Sequence, residues 1–127
     1  MSLFLTTKGN KQNIVKCNSL SENPFMIDTK VDAIVTNPPF GTKMNYKSLK
    51  ETYEKTFPDS TVKFEDMYPL KVNHGACLFV QHCVYMLNDG GVCAIVLPDG
   101  ELFEGNSKCR KNYRKWLCEN VNIHTIL

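Results

Sequence analysis

The chain has 127 residues, of which 43% are hydrophobic and 22% are charged, and its net charge is +2 with histidine neutral. These fractions are typical of a soluble globular domain and exclude a disordered chain, which combines low hydrophobicity with high net charge. The near-neutral charge gives little long-range attraction for nucleic acid, so any nucleic-acid role depends on local patches. No apolar run reaches the roughly 20 residues of a membrane span, and no signal-peptide pattern is present.

The cysteines indicate the redox environment. None of the six forms a Cys-x-x-Cys pair, and most lie in apolar runs. The sequence therefore predicts no zinc or other metal site and no disulfide framework. Small buried thiols in a cytoplasmic protein are the favoured interpretation. The cysteines are Cys17, Cys77, Cys83, Cys93, Cys109 and Cys118.

The first half of the chain predicts two strands and one helix. Residues 13–17 are a short strand candidate, and residues 31–36 (VDAIVT) form a nearly continuous apolar run. Such a run is typical of a strand that is buried on both faces of a parallel sheet. Residues 46–57 carry apolar side chains at helical spacing and predict a helix. Residues 59–72 have no clear period and predict a loop.

The next segment predicts a helix, a turn and a strand. Asn73 can cap a helix over residues 74–87, which is apolar nearly all round and hence buried. Asn-Asp-Gly-Gly at residues 88–91 predicts a helix stop and a turn. Residues 92–97 (VCAIVL) predict a second buried strand.

The last part of the chain predicts a helix over residues 107–119 and a further strand over residues 122–127. Buried strands that alternate with helices predict an α/β fold, with a mostly parallel sheet and flanking helices. Ligands in such folds bind beyond the carboxyl ends of the strands. The loop that follows residues 31–36 is therefore a candidate site.

That loop reads Asn37-Pro38-Pro39-Phe40. Two successive prolines fix their φ angles near about −65° and remove two backbone donors. Each proline also pushes the preceding residue toward extended geometry. The sequence therefore predicts a rigid loop that presents the Asn37 side-chain oxygen and the Pro38 carbonyl as neighbouring acceptors, with the Phe40 ring beside them.

Two neighbouring acceptors suit a planar amine, such as the exocyclic amino group of a base. Holding both N–H groups favours a pyramidal nitrogen, whose lone pair can then reach an electrophile. An anionic side chain would hold a cationic sulfonium in place, whereas a neutral Asn does not. Alternatively, the prolines only end the strand and Phe40 is a core residue. The position of the loop after a buried strand of an α/β sheet favours the functional interpretation.

Other segments carry a family resemblance together with this loop. Residues 78–103 contain a Leu-Phe-x-Gln-His helix, a Gly-Gly turn, a strand and a Leu-Pro-Asp-Gly-x-Leu-Phe segment. This order resembles the modification subunit of Type I restriction–modification systems. Residues 4–20 and 111–127 resemble neighbouring segments of the same family. The resemblance covers nearly the whole chain except about residues 56–72.

The resemblance implies an S-adenosylmethionine-dependent methyltransferase that acts on adenine N6 in double-stranded DNA. The target adenine is flipped out because its amino group is otherwise paired. Asn37 and the Pro38 carbonyl would hold the amino group, Phe40 would stack on the base, and Pro39 would keep the loop rigid near the cofactor. Specificity and restriction subunits are the implied partners.

The cofactor site is only partly represented. Asn18, at a position that is often Asp in related enzymes, would meet the adenine part of S-adenosylmethionine, and Ser19 and Pro39 would also belong to the cofactor site. The family's Gly-rich loop, which binds the methionine part, is absent: the seven glycines stand at positions 9, 41, 75, 90, 91, 100 and 105. We therefore expect residues 1–127 to be one partial methyltransferase domain with a partial Rossmann-like fold. It comprises the catalytic half and, alone, should be inactive and bind the cofactor poorly or not at all.

Two other functions stay open at this stage. Asn-Pro-Pro-Phe/Tyr also occurs in enzymes that methylate ribosomal RNA bases or a glutamine side chain in protein. The Gln-His helix and the Leu-Pro-Asp-Gly-x-Leu-Phe segment favour the restriction-type family over these. The absence of the Gly-rich loop also allows a truncated, non-catalytic assembly module.

Three further features of the sequence have a structural explanation beside a functional one. Lys43 and Lys47 follow the candidate loop, and either phosphate contacts or solvated side chains would explain them. The basic face of the helix over residues 107–119 is better explained as a solvated face. His82 lies in an apolar helix without a ligand-spaced partner, so we expect it to be a packing residue.

Overall fold

The structure, a computed structural model, describes residues 14–39, 43–98 and 108–126. Within these residues β1 and β2 are parallel neighbours, and the chain passes through three helices between them. This arrangement confirms the predicted α/β class with a parallel sheet. The elements are β1 (Val31–Thr36), α1 (Tyr46–Thr56), α2 (Phe64–Met67), α3 (Gly75–Met86), β2 (Leu87–Ile95) and α4 (Lys108–Asn120).

The strand β2 begins earlier than the sequence predicts. Residues 92–95 pair in register with residues 33–36, but the ladder already starts where Leu87 pairs with Val31. Residues 88–91, predicted as a turn, form an irregular part of β2 in which Gly90 has a φ of 82°. A bulge takes the place of the turn because glycine adopts this φ without steric cost.

The sheet is covered on one face only within the described residues. Ile34 and Ile95 pack against the hydrophobic core. The other face is open, and Val35 is 88% exposed there. The prediction that both strands are buried on both faces is therefore wrong for this part of the chain, because the core lies against a single face. The open face carries Ala33, Val35, Val92, Ala94 and Val96.

The core lies among the helices and is centred on Phe64. Its ring centroid is 5.1 Å from that of Tyr46, 5.7 Å from that of Tyr53 and 4.6 Å from that of Tyr68. Phe64 and Tyr68 lie in the segment predicted as a loop, so that prediction missed α2 and part of the core. A helix of 4 residues is too short to show a helical period in the sequence.

The longer helices agree with their predicted ranges to within a residue or two, while the two terminal strand predictions are wrong. Residues 14–17 and 122–126 form no strand, and Ile14 and Ile126 are 60% and 57% exposed. In the described part of the chain, β1 and β2 pair only with each other, and neither terminal run joins an outer edge of this two-stranded sheet. Residues 13 and 127 lie outside the described residues.

The cysteines differ in their surroundings, and none forms a disulfide. Cys83 is buried as predicted, and its thiol donates to the sulfur of Cys93; this hydrogen bond and burial raise the pKa of Cys83. Cys109 and Cys118 are exposed, so the predicted burial is wrong for them. They lie on α4, which buries only its face with Tyr113 and Leu117.

None of the described helices is long and apolar enough to cross a membrane.

Replacement of Phe64 by Ala tests the position of the core. Phe64 is 1% exposed and contacts three tyrosine rings, so we expect the free energy of unfolding to fall by about 3–5 kcal/mol. Phe57→Ala is the control: this half-buried ring pairs with one aromatic ring, that of Tyr53, and its loss should cost less than half as much. Urea unfolding followed by circular dichroism measures both losses, and equal losses would contradict a core centred on Phe64.

Candidate functional site

The Asn-Pro-Pro loop continues directly from β1. The backbone N–H of Val96 donates to the carbonyl of Thr36 at 3.2 Å, so the ladder reaches the last residue before the loop. Asn37 and Pro39 are exposed, and Pro38 is buried. The buried Pro38 ring packs the loop against the protein while the Asn37 amide stays open to solvent. Phe40 lies outside the described residues.

The Asn37 side chain is available for a ligand. Within the described residues its amide makes no hydrogen bond, so both its oxygen and its nitrogen keep their pairing capacity. Neither Asn37 nor the prolines can titrate. Whatever the loop binds is therefore held by hydrogen bonds and shape.

Asn18 and Ser19 lie in a separate turn and are both exposed. The Asn18 side-chain oxygen accepts from the backbone N–H of Leu20 at 3.1 Å, and the Asn18 carbonyl accepts from Glu22 at 2.8 Å. The oxygen thus has one lone-pair direction left, and the amide nitrogen keeps its donors. No described hydrogen bond or ring contact joins this turn to Asn37.

The residues that follow the loop are tied to Asn73. The Asn73 carbonyl accepts from the backbone N–H of Met44 at 3.1 Å, and its side-chain oxygen accepts from the N–H of Tyr46 at 2.9 Å. Lys43 pairs with His74 in an isolated antiparallel bridge. The prediction that Asn73 caps α3 is wrong: the N-cap of α3 is His74, and the Asn73 side chain instead serves the first amide of α1.

The segment before Asn73 is fixed by two neighbouring side chains of α3. The Gln81 amide is buried, and its oxygen accepts from the N–H of Leu70 at 2.9 Å while its nitrogen donates to the Leu70 carbonyl at 3.4 Å. The Tyr68 hydroxyl donates to the Leu20 carbonyl at 3.0 Å and lies 2.8 Å from Nδ1 of His82. Because the hydroxyl has one proton, His82 is the donor in the second bond.

Burial shifts the pKa of both partners of this second hydrogen bond. It raises the pKa of Tyr68, and it lowers the pKa of His82 to about 4. Both groups are therefore neutral near pH 7. His82 is the packing residue that the sequence predicts.

Comparison with known proteins then gives the family. A family model described as N-6 DNA Methylase matches residues 1–127. The chain belongs to the N-6 DNA methylase family. The match covers the Asn-Pro-Pro loop and the Gln-His helix, which are the segments on which the predicted resemblance rests.

Curated relatives of this N-6 DNA methylase chain are much longer. The Type I restriction enzyme EcoEI methylase subunit of Escherichia coli is 36% identical over 110 residues, which are 87% of this chain and 19% of the relative. The Type I restriction enzyme EcoKI methylase subunit of Escherichia coli strain K12 is 33% identical over 98 residues, which are 77% of this chain and 15% of the relative. The chain thus spans less than a fifth of the length of these relatives. No solved structure matches it.

The exposed basic residues of this N-6 DNA methylase chain include two groups that the sequence singles out, one after the loop and one on α4. Lys43 and Lys47, which follow the loop, are exposed. On α4, Lys111 and Lys115 are exposed, and Lys115 lies 4.0 Å from Glu119. A groove of about 570 Å³ between α1 and α2 contains none of the predicted site residues.

Sequence reasoning missed the residues that support the loop. Asn73 reads as a helix cap in the sequence, and nothing local shows which of two helices it serves. Gln81 and His82 are visible as a family motif, but their partners, Leu70 and Tyr68, lie 11 and 14 residues away. Only the folded chain brings these groups together.

The pKa of His82 predicts a pH dependence of stability. The folded pKa is about 4, whereas the unfolded pKa is near the ordinary 6.5, so the unfolded chain binds the proton first. The contribution of neutral His82 to the free energy of unfolding is complete above about pH 6.5 and is lost as pH falls toward 4. From about pH 7.5 to about pH 5 we expect a loss of about 2 kcal/mol.

His82→Asn isolates this contribution. The Asn side chain can still donate to Tyr68 and does not titrate. Over the same pH interval, the free energy of unfolding of the variant should therefore fall by about 2 kcal/mol less than that of the unchanged protein. Urea unfolding at both pH values measures the difference. Equal losses in the two proteins would contradict a His82 that stays neutral in the folded chain.

Proposed function

We propose that this chain is the catalytic segment of an S-adenosylmethionine-dependent methyltransferase that acts on adenine N6 in double-stranded DNA. The observation that carries the proposal is the Asn-Pro-Pro loop at the end of β1, with Asn37 exposed and Pro38 buried. Membership of the N-6 DNA methylase family supports it. The named relatives, which are methylase subunits of Type I restriction enzymes, support a place in a restriction–modification system.

The proposed roles follow from the chemistry of the amino group. Asn37 and the Pro38 carbonyl accept its two N–H groups, which localises the nitrogen lone pair and directs it away from the ring. Phe40 stacks on a base that has been flipped out of the duplex. Pro39 limits the backbone freedom of the loop. Since no residue of the Asn-Pro-Pro loop can titrate, these residues act by holding the substrate amine in place.

Part of the cofactor site fits the residues present. Bound S-adenosylmethionine supplies an electrophilic methyl group on a cationic sulfur. The exposed amide nitrogen of Asn18 and hydroxyl of Ser19 can pair with the donor and acceptor edge of its adenine. No Gly-rich loop for the methionine part is present in the sequence. We therefore assign residues 1–127 to the catalytic half of a larger Rossmann-like domain. On its own, this half lacks activity.

The proposed partners are double-stranded DNA together with specificity and restriction subunits. Lys43 and Lys47 are exposed close to the loop along the chain and are suited to phosphate contacts. A ribosomal RNA base or a protein glutamine presents a similar planar amine, so these substrates are the alternative outcomes of an activity assay. A non-catalytic assembly module is the outcome if no substrate is methylated.

Asn37→Ala in the native protein tests the role of the loop. The loss of one acceptor for the amine should lower kcat for DNA methylation by about 100-fold or more. The unfolding midpoint should not change, because Asn37 is exposed and makes no hydrogen bond within the described residues. Transfer of a labelled methyl group to adenine-containing duplex DNA measures the rate. Asn122→Ala, at another exposed Asn, is the control, and full activity of Asn37→Ala would remove the assigned role.

Calorimetric titration of the 127-residue chain with S-adenosylmethionine tests the assignment to half of a domain. We expect no saturable heat, because the methionine part of the cofactor has no binding loop in this sequence. Circular dichroism shows whether the titrated chain is folded. Saturable binding by the folded chain would contradict the assignment.

A further inference from the structure

The Asn-Pro-Pro loop is held on both sides by other parts of the chain. On its amino side, the Thr36 carbonyl accepts from Val96 at 3.2 Å. On its carboxyl side, Lys43 pairs with His74. Only three residues separate Pro39 from Lys43, so their Cα atoms are at most about 15 Å apart. The length of this connection therefore limits how far the loop can lie from the residues that follow Lys43.

Asn73 forms most of the attachment on the carboxyl side. Its carbonyl accepts from Met44 at 3.1 Å, and its side-chain oxygen accepts from Tyr46 at 2.9 Å. The second bond reaches across 27 residues of sequence, so it is not a local turn. Asn45 caps α1 by itself, since its side-chain oxygen accepts from Ser48 at 3.1 Å. The helix start therefore does not need Asn73 as a cap.

The segment behind Asn73 is attached to two helices by side-chain hydrogen bonds. The segment of residues 68–74 carries Asn73 near one end, and α3 holds this segment through the Gln81 amide at Leu70 and the His82 ring at Tyr68. The Tyr68 carbonyl in turn accepts from the Tyr46 hydroxyl at 2.8 Å. Residues 68–74 thus connect the buried helix α3 with the start of α1 at two points.

We infer that Asn73 is a positioning residue, which sets the place of the Asn-Pro-Pro loop through its hydrogen bonds to Met44 and Tyr46. This inference rests on the proposed function of the loop. Asn73 is itself exposed, so its side-chain bond contributes little to overall stability. Its effect is expected in the geometry of the reaction, where small displacements of a holding group have large kinetic costs.

The test compares Asn73→Ala, Asn73→Asp and Asn45→Ala in the native protein. Asn73→Ala should lower kcat for DNA methylation by about tenfold or more, with KM for S-adenosylmethionine nearly unchanged. Asn73→Asp keeps the acceptor for Tyr46, close to the positive end of the α1 dipole, and should restore kcat. Asn45→Ala removes a different acceptor at the same helix end, so it should leave kcat within about twofold.

Hydrogen exchange gives a readout that does not need activity. In Asn73→Ala the amide of Tyr46 should exchange at least about tenfold faster, while the amides of β1 keep their rates. If Asn73→Ala does not fold, Asn73→Gln moves the same amide by one methylene and should show the same loss of kcat. Unchanged kcat in the folded variant, or an equal loss in Asn45→Ala, overturns the inference.

The two proposals fail in different ways. Full activity of Asn37→Ala removes the proposed function and, with it, the kinetic role of Asn73. Faster exchange at Tyr46 would still show that Asn73 anchors the start of α1. An inactive Asn37→Ala beside a fully active Asn73→Ala removes only the positioning role.

Discussion

The buried side chain of Tyr68 connects parts of the chain that are far apart in sequence. Its hydroxyl donates to the Leu20 carbonyl and accepts from His82, its carbonyl accepts from the Tyr46 hydroxyl, and its ring packs on Phe64. A buried polar group without a partner costs about 1–3 kcal/mol, so each of these partners has to be in place when the core closes. This requirement fixes the start of α1 and the segment before α3 relative to each other.

The loop after β1 depends on this arrangement for its place but not for its stiffness. Pro38 and Pro39 restrict the loop locally, because each ring fixes a φ angle wherever the loop lies. The position of the loop comes from its two flanks, where Thr36 bonds to β2 and the residues after the loop bond to Asn73. The stiffness of the loop and its position are therefore set by different residues. Pro38 and Pro39 restrict its backbone, whereas the hydrogen bonds of Thr36 and Asn73 hold its two flanks.

The parts of the fold that sequence patterns predicted are those with a strong local signal. The apolar run of β1, the three longer helices and the Asn-Pro-Pro loop are each encoded by consecutive residues. The missed features depend on partners distant in sequence: α2 is short and is defined by the burial of Phe64, and Asn73 serves a helix that begins 27 residues earlier. Residues 14–17 show the converse, because this apolar run pairs with neither open edge of the two-stranded sheet and stays exposed.

The most strongly shifted pKa values belong to Tyr68, His82 and Cys83, which are not residues of the candidate loop. Strongly shifted groups often mark active sites, yet here Tyr68 and His82 satisfy one another in the interior, and the raised pKa of Cys83 comes from its hydrogen bond to Cys93 and from burial. The Asn-Pro-Pro loop contains no titratable group at all. Transfer of a methyl group from a sulfonium to an amine needs no activated nucleophile on the protein, because the amine itself supplies the electron pair. A site for that reaction can therefore consist of neutral acceptors at fixed positions. The residues of such a site are recognised by their geometry, because their pKa values do not mark them.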